Sequence, residues 1–419
     1  LRRGRRAGLR RVARVLPHPR SVGAALEPRP RLPEPHDPRG RGGQHFGPLP
    51  RRADLRPRGR RGRYGVTARA FFDWNAGAPL APEARAAAAR ALDLSGNPSG
   101  AHAEGRAARA AIERARTQVA ALAGCDPEQV IFTSGATEAA ALAARNLGPL
   151  SGGAIEHDCV AAHLSRTLPL RADGAVDLAA AGATALQAAN SETGILQPAA
   201  ERVVDLVDAA QAAGKIDWRW NGGRMRFAIL SSPKLGGPKG AGALIVPPGA
   251  EIDPLLRGGG QEGRRRAGTE NVVAIAGFGA AAEAAARRVA DGAWERVATL
   301  RDKLEETISD WNDRAIIFGR GSARLPNTLC VATPGWRGET QVMGLDLAGF
   351  AVSAGSACSS GKTGPSAGLS ALAVAMGFEA DLARCAVRVS LGPETTEDEI
   401  DRLAHAWAGL HAKRRAQAA

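Results

Sequence analysis

The sequence predicts an α/β fold in which a mainly parallel sheet is followed by a smaller α+β region. Short apolar runs typical of buried strands alternate with Ala-rich segments whose apolar residues recur at helical spacing. Such alternation favours parallel strands that are joined by crossover helices. From about residue 291 onward, a charged helix, a few strands and a final helix indicate the second region.

The elements follow one another along the chain in this pattern. Residues 82–92 form an Ala-rich run that favours a helix, and residues 105–123 alternate apolar residues with Arg, Glu and Gln as a half-buried helix does. Residues 129–132 are predicted to be a buried strand that leads into another Ala-rich helix. Further strands are predicted at residues 154–157, 184–190, 203–210 and 227–231.

The composition places the chain among soluble globular proteins. Apolar residues make up 44% and charged residues 23% of the 419 residues, which is ordinary for that class. The longest apolar runs are broken by Arg or Glu and fall short of the roughly 20 residues that a membrane span requires. The five cysteines show no spacing typical of a metal site. We therefore expect a cytoplasmic protein with neither a membrane partner nor a metal site.

The formal net charge of +14 comes from one end of the chain. Residues 1–65 carry 19 arginines against four acidic residues, whereas the rest carries 37 basic and 38 acidic residues. The segment is also rich in proline and poor in periodic apolar residues, which predicts disorder. It could be a nucleic-acid-binding tail, a targeting peptide or a stretch foreign to the natural protein. We favour the last interpretation, with a true start near Val66, and expect no nucleic-acid partner.

Two segments that follow predicted strands have the chemistry of a ligand site. The turn of residues 134–137 combines small residues with the start of a helix, where backbone N–H groups bind anions such as phosphate; the same residues could simply cap the helix. Lys234 follows the apolar run 227–230, at the strand end where α/β proteins hold ligands. A desolvated lysine there can form a Schiff base with an aldehyde, although a surface lysine would look alike.

Two further residues stand out against their surroundings. Asp208 interrupts an apolar stretch, and a buried carboxylate of this kind could pair with a protonated pyridine nitrogen or could cap a helix. Cys358 lies among small polar residues at 353–361, where a cysteine is more accessible than in a core. The other four cysteines have the surroundings of small buried apolar residues.

In this order, these segments resemble the cysteine desulfurases of the NifS/IscS type, a branch of the class V aminotransferases. The resemblance covers roughly residues 70–408. It rests on residues 73–76, 97–99, 102–106, 132–138, 155–157, 191–194, 258–271, 353–361 and 387–392. It implies the fold type I of enzymes that depend on pyridoxal 5'-phosphate (PLP), with a seven-stranded sheet in the large domain. The expected domains are a segment 66–82 that packs with the small domain, a large domain 83–290 and a small domain 291–419.

The resemblance also implies a role for each matching residue. Lys234 would carry PLP and move protons, His157 would stack on its ring, and Cys358 would take sulfur from L-cysteine as a persulfide and leave L-alanine. The other implied cofactor ligands are Asp208 at the ring nitrogen, Gln211 at the ring oxygen, Ser191 at the ring, and Ala136, Thr137 and Ser231 at the phosphate, joined by Thr269 from the other subunit of a homodimer. The implied substrate ligands are Arg388, Asn75 and Asn190.

The sequence departs from the family pattern beside two of these residues. Pro233 replaces a histidine before Lys234, which removes a backbone N–H and fixes φ next to the anchor. Ser191 replaces the second Asn of the family's Asn-Asn-Glu-Thr-Gly pattern. The departures keep two alternatives open, another class V PLP enzyme and a homologue without activity. The expected partners are L-cysteine, a second copy of the chain and a protein that accepts sulfur for iron–sulfur clusters or thio-cofactors.

Overall fold

The computed structural model describes residues 69–178, 182–199, 202–354 and 366–418, so Cys358 and the segment 1–65 lie outside the described residues. The strands are β1 Ala70–Phe71, β2 Val130–Thr133, β3 Leu150–Gly153, β4 Leu164–Leu168, β5 Ala183–Gln187, β6 Val204–Asp208, β7 Met225–Ser231, β8 Gly242–Ile245, β9 Ile316–Ile317, β10 Thr328–Ala332, β11 Phe350–Ala351, β12 Ser353–Ala354 and β13 Ala386–Ser390. The α-helices are α1 Pro82–Leu92, α2 Ala103–Ala123, α3 Ala136–Leu147, α4 Asp158–Ala161, α5 Val272–Ala290, α6 Ala293–Trp311, α7 Gly338–Leu347, α8 Ala367–Ala375 and α9 Glu397–Ala418.

Seven strands form the main sheet in the order β2-β8-β7-β6-β5-β3-β4. Within it β8 runs antiparallel to both of its neighbours, and all other pairs are parallel. The central strands β6 and β7 are rich in Val, Leu and Ile and are buried on both faces, as parallel strands covered by helices must be. The mainly parallel seven-stranded sheet expected from the sequence is therefore present.

Helices α1, α2 and α5 pack closely beside this sheet. Helix α2 buries Ala108, Ile112, Ala115 and Val119 along one stripe. The backbones of α2 and α5 approach so closely that a Cβ on Gly279 would lie 2.4 Å from the Cα of Ala115. Small residues therefore set the spacing between these two helices, which explains why the segments are rich in Ala.

The C-terminal region has a sheet of its own. Strands β12-β13-β10-β9 form an antiparallel sheet, and a core cluster that includes Leu304, Val389 and Trp407 packs it with α6 and α9. Near the start of the described chain, β1 pairs in parallel with β11, and Asp73 bridges to Ser390. The segment before α1 is thereby held on the C-terminal sheet. The exact domain boundaries expected from the sequence stay predictions.

Most predicted elements are present, and one strand prediction is wrong. The helix predicted at residues 82–92 is α1 with the same bounds. The strand predicted at 154–157 is instead the turn that leads into α4, and the strand is β3 just before it. That strand contains two glycines because the chain passes close to its neighbour: a Cβ on Gly152 would lie 2.9 Å from the carbonyl oxygen of Ala185. In the described ranges, no helix is long and apolar enough to cross a membrane.

Candidate active site

The carboxyl ends of three strands meet at one edge of the main sheet. Asp208 ends β6, Ser231 ends β7 and Thr133 ends β2. In the register of the sheet, Asp208 lies opposite Ile229, and both Ser231 and Thr133 lie opposite Gly242. Because parallel strands end at the same edge, the segments that follow them converge there, as in other ligand sites of α/β proteins.

Asp208 is a carboxylate buried at this edge. Its Oδ1 accepts a hydrogen bond from the backbone N–H of Ala210 at 2.9 Å, and within the described ranges it forms no salt bridge. Burial raises the pKa of the Asp208 carboxyl, while the backbone hydrogen bond and the positive charges of His157 and Lys234 lower it. A buried carboxylate in such surroundings is stabilised by a cationic partner.

Lys234 lies in a short 3₁₀-helix, Ser232–Lys234, that follows β7 directly. Its Nζ donates to the carbonyl oxygens of Asn75 at 2.8 Å and Ala76 at 2.7 Å. Pro233 is the second residue of this helix, where a backbone N–H would have no partner within the helix. The carbonyl of Pro233 accepts from the N–H of Ala78 at 2.9 Å. Pro233 is therefore accommodated in this helix without the loss of a helical hydrogen bond, and its effect on activity stays a prediction.

The turn between β2 and α3, called the cradle below, is a helix start that borders open space. Gly135 precedes the first residue of α3, and a Cβ on Gly135 would meet nothing within 4 Å, so the turn borders open space. Behind the turn, a Cβ on Gly242 would lie only 2.6 Å from the backbone of Gly135. Ala136 and Thr137 form the first turn of α3, whose N–H groups and dipole favour an anion. Thr137 is exposed toward solvent.

The loop that carries Thr269 is fixed by two ion pairs, one to helix α2 and one to the first turn of α3. Glu262 is buried and accepts two hydrogen bonds from Arg116, each of 2.7 Å, and a third from the N–H of Phe132. Arg266 forms an ion pair with Glu138 in the first turn of α3 at 2.8 Å. Thr269 is exposed and lines a cavity of about 120 Å³ together with Thr133 and Ser134. Whether Thr269 serves a second subunit stays a prediction.

His157 is exposed on the turn before α4 and acts as the N-cap of that helix. Its Nδ1 accepts a hydrogen bond from the N–H of Cys159 at 3.2 Å. In the neutral ring the proton is therefore on Nε2, because one imidazole nitrogen accepts only when the other carries the hydrogen. The ring can thus offer a donor to a ligand that lies at the strand edge.

Asn75, a predicted substrate ligand, is buried at the centre of a polar network. Its Nδ2 donates to the carbonyl of Ser191 at 3.1 Å and to Thr328 Oγ1 at 2.9 Å. Its Oδ1 accepts from Lys215 at 2.7 Å and from Asn327 at 3.1 Å. These four bonds use the full capacity of the amide, so in this conformation the Asn75 side chain holds the site together.

The other two predicted substrate ligands also have partners in the protein. Arg388 is buried and donates to the carbonyl of Ser191 at 3.1 Å and to Asp73 at 2.7 Å. The Oδ1 of Asn190 accepts from the backbone N–H groups of Glu192 and Thr193. Arg388 thus lies beside Ser191 at the site, whereas Asn190 shapes the turn that presents Ser191. Their substrate contacts stay predictions.

Two buried charged residues at the site were missed by sequence reasoning. Lys215 contacts Gln211 and Asn75, and Glu192 accepts from Ser366 at 2.8 Å. Burial lowers the pKa of Lys215 well below its ordinary value and raises that of Glu192 to about 7. A signal for Lys215 was its position four residues after Gln211 in an Ala- and Gly-rich segment. Its closeness to Asn75 depends on tertiary structure alone.

The four cysteines in the described residues are free and contribute to the core. Cys159, Cys330 and Cys385 are buried and Cys125 is half-buried, as predicted. Burial raises the pKa of the Cys125 and Cys159 thiols to about 12 and raises that of Cys330 as well. Since the thiolate is the nucleophilic form, these three are poor nucleophiles.

Comparisons with known proteins agree with this geometry. The family model described as Aminotransferase class-V matches residues 70–161 and 177–403. A cysteine desulfurase of Cereibacter sphaeroides is 39% identical over 80% of this chain and 94% of its own length. The cysteine desulfurase IscS of Dictyoglomus turgidum is 34% identical over 79% of this chain and 91% of its own length. The crystal structure of a NifS-like protein from Rickettsia africae is 28% identical, with a TM-score of 0.74 over 82% of this chain and 99% of that one.

Proposed function

Because the chain belongs to the class V aminotransferases and, within them, to the cysteine desulfurases of the NifS/IscS type, we propose how its residues carry out that reaction. The chain converts L-cysteine to L-alanine with PLP at the carboxyl edge of the main sheet. The sulfur is retained as a persulfide on Cys358. The single observation that carries this proposal is the convergence of Asp208, Lys234 and the start of α3 at that edge.

The residues at the edge fit the three functional groups of PLP. The buried Asp208 carboxylate suits a protonated pyridine nitrogen, which supplies the cation that burial demands. The amine of Lys234 suits the aldehyde. The cradle of Ala136, Thr137 and Ser231 suits the phosphate, since Gly135 borders open space. A carboxylate, an amine and an anion cradle of this kind match the whole cofactor.

Each residue then has a defined task. When bound, PLP supplies the electron sink that makes the carbon–sulfur bond of cysteine breakable. Lys234 holds the cofactor and moves protons to and from the substrate carbon. Gln211 donates to the ring oxygen, and His157 covers the ring and offers its Nε2 proton. Ser191, which follows Asn190, borders the ring.

The substrate carboxylate is held by Arg388, which can bind a carboxylate bidentately. The guanidinium already forms an ion pair with Asp73, so it is oriented before the substrate arrives and would exchange one carboxylate for another. Asn75 supports this position through Ser191, whose carbonyl accepts from both Asn75 and Arg388. Asn190 acts in substrate binding by holding that turn.

Cys358 is the nucleophile in this proposal because the four described cysteines are buried or half-buried. The thiols of Cys125, Cys159 and Cys330 ionise only at high pH. The Cys358 thiolate attacks the sulfur of the bound cysteine, a new S–S bond forms and the substrate's C–S bond breaks. The electron pair of that bond stays with the carbon, which is protonated to give alanine, and the enzyme keeps the sulfur as a persulfide.

The assembly and the location complete the proposal. Thr269 is exposed on an anchored loop, as expected of a residue that reaches the phosphate of the other subunit in a homodimer. The four free cysteines fit the reducing cytoplasm. The persulfide would then pass to an acceptor protein for iron–sulfur clusters or thio-cofactors.

The experiment compares the wild type with Cys358→Ala and with the control Cys125→Ala. Apoprotein is loaded with PLP, the visible absorbance of the bound cofactor is recorded, and alanine and sulfide are measured after addition of cysteine. We expect Cys358→Ala to bind PLP normally and to release no sulfide under reducing conditions, whereas Cys125→Ala retains activity. Full turnover by Cys358→Ala would refute the persulfide assignment, and a wild type without a cofactor band would refute the use of PLP.

A further inference from the structure

Lys215 is a buried lysine that the reaction outlined above does not use. It lies in the loop after β6 and is 3% exposed. Within the described part of the chain it forms no ion pair with a carboxylate. Burial lowers its pKa, and the positive charges of Lys234 and Arg388 lower it further. These effects disfavour the charged form of the Lys215 amine, so its role lies in the hydrogen bonds that it donates.

The hydrogen bonds of Lys215 fix the orientation of the Gln211 amide. Its Nζ donates to Gln211 Oε1 at 2.6 Å. The Lys215 amine is the donor in this bond, so Gln211 turns its oxygen toward Lys215 and its nitrogen away. The Nε2 of Gln211 accordingly donates to the carbonyl of Asn75 at 2.9 Å. That carbonyl also accepts from Lys234 Nζ.

The same amine fixes Asn75. It donates to Asn75 Oδ1 at 2.7 Å, and the amide nitrogen of Asn75 therefore faces Ser191 and Thr328. A flipped amide at either position would turn its N–H groups toward the N–H groups of this amine. One buried amine thus sets the direction of two amides, and both amides contact groups at the strand edge.

We propose that Lys215 is a positioning residue: its amine donates to the amide oxygens of Gln211 and Asn75 and fixes both amides, so that Gln211 presents an N–H rather than an oxygen to the PLP ring. The inference rests on the proposed function, because it concerns the cofactor pocket. Gln211 Nε2 carries two N–H groups and Asn75 takes one of them, which leaves a donor for an acceptor on the ring. Without Lys215 the amide could turn and present oxygen instead.

The first test is a double-mutant cycle of Lys215→Met and Gln211→Leu, read out as PLP binding to apoprotein. Each single variant should weaken PLP binding about tenfold, the effect of about one hydrogen bond, and each should shift the absorbance maximum of the bound cofactor in the same direction. The double variant should bind within about threefold of Gln211→Leu, because the two side chains act as one unit. Lys413→Met, which removes an exposed lysine from α9, should bind like the wild type.

Two results would overturn the inference. The first is that Lys215→Met binds PLP within about twofold of the wild type. The second is that the fold-losses of PLP affinity in the two single variants multiply fully in the double variant, which would mean independent roles.

If Lys215→Met does not fold, Gln211→Glu replaces it, since this variant keeps an oxygen for Lys215 but has no N–H for the ring. Wild-type affinity of Gln211→Glu would then refute the inference. Failure of the wild type itself to bind PLP would instead refute the proposed function.

Discussion

Replacement of Glu192 by Gln should change how the stability of the protein depends on pH. Glu192 is buried next to Ser191, and its Oε2 accepts from Ser366 Oγ at 2.8 Å. Ser366 is the N-cap of α8 and accepts from the N–H of Leu369. Burial raises the pKa of the Glu192 carboxyl to about 7, although the Ser366 hydrogen bond and the Arg388 charge oppose the rise. The ionised form is therefore disfavoured in the folded state.

The size of the effect follows from this pKa. The ordinary value is 4.5 and the folded value is about 7, so the folded protein binds the proton more tightly than the unfolded chain does. The free energy of unfolding contributed by Glu192 must then fall as the pH rises from 4.5 to about 7, and the loss is complete above that pH. At about 1.4 kcal/mol per pH unit the total is about 3 kcal/mol.

Urea unfolding of apoprotein at a series of pH values measures this contribution. Glu192→Gln keeps an oxygen for Ser366 but cannot ionise. We expect it to match the wild type near pH 4.5 and to be about 3 kcal/mol more stable at about pH 8. Glu306→Gln, at an exposed residue of α6, serves as the control and should follow the wild type. A difference between Glu192→Gln and the wild type that is the same at every pH would refute the reasoning.

Two further pairs of variants test the cradle and the loop anchor. In Gly242→Ala a Cβ would lie 2.6 Å from the turn before α3, so PLP binding measured by titration should weaken about 5- to 100-fold, the effect of overpacking by about 1–3 kcal/mol. Gly409→Ala, whose Cβ would meet nothing within 4 Å, should bind PLP normally; equal affinities of the two variants would contradict this account. Arg116→Met leaves the buried Glu262 without its partner and should lower the free energy of unfolding by about 3–5 kcal/mol. Arg171→Met breaks an exposed pair and should cost less than about 1 kcal/mol; similar losses in urea unfolding would argue against a buried anchor.

The sequence predicted the parts of the site that depend on local order along the chain. Lys234 follows the apolar strand β7, so the strand pattern placed it at the carboxyl edge of the sheet. Asp208 was predicted only as a carboxylate that interrupts an apolar stretch, and it is the last residue of β6. Strand β3 was missed because its Leu-Ser-Gly-Gly sequence has no β-branched residue; its glycines are explained only by the closeness of β5. The 3₁₀-helix that accommodates Pro233 was also not predicted, and the effect of Pro233 on activity stays a prediction.

Asn75 shows most clearly why sequence reasoning stops short of the site. As part of the matching segment 73–76 it was predicted from the resemblance to contact the substrate, which stays a prediction. In the structure its amide is bonded to four protein groups. Two of these, Asn327 and Thr328, belong to the C-terminal region, and a third is Lys215, which follows β6. Its carbonyl meanwhile accepts from Lys234. Lys234 is thus positioned by a residue of the N-terminal segment that the C-terminal sheet holds in place. A displacement of β10 would therefore reach Lys234 through Asn75, so the C-terminal region contributes to the geometry of the reaction as well as supplying the chain that carries Cys358.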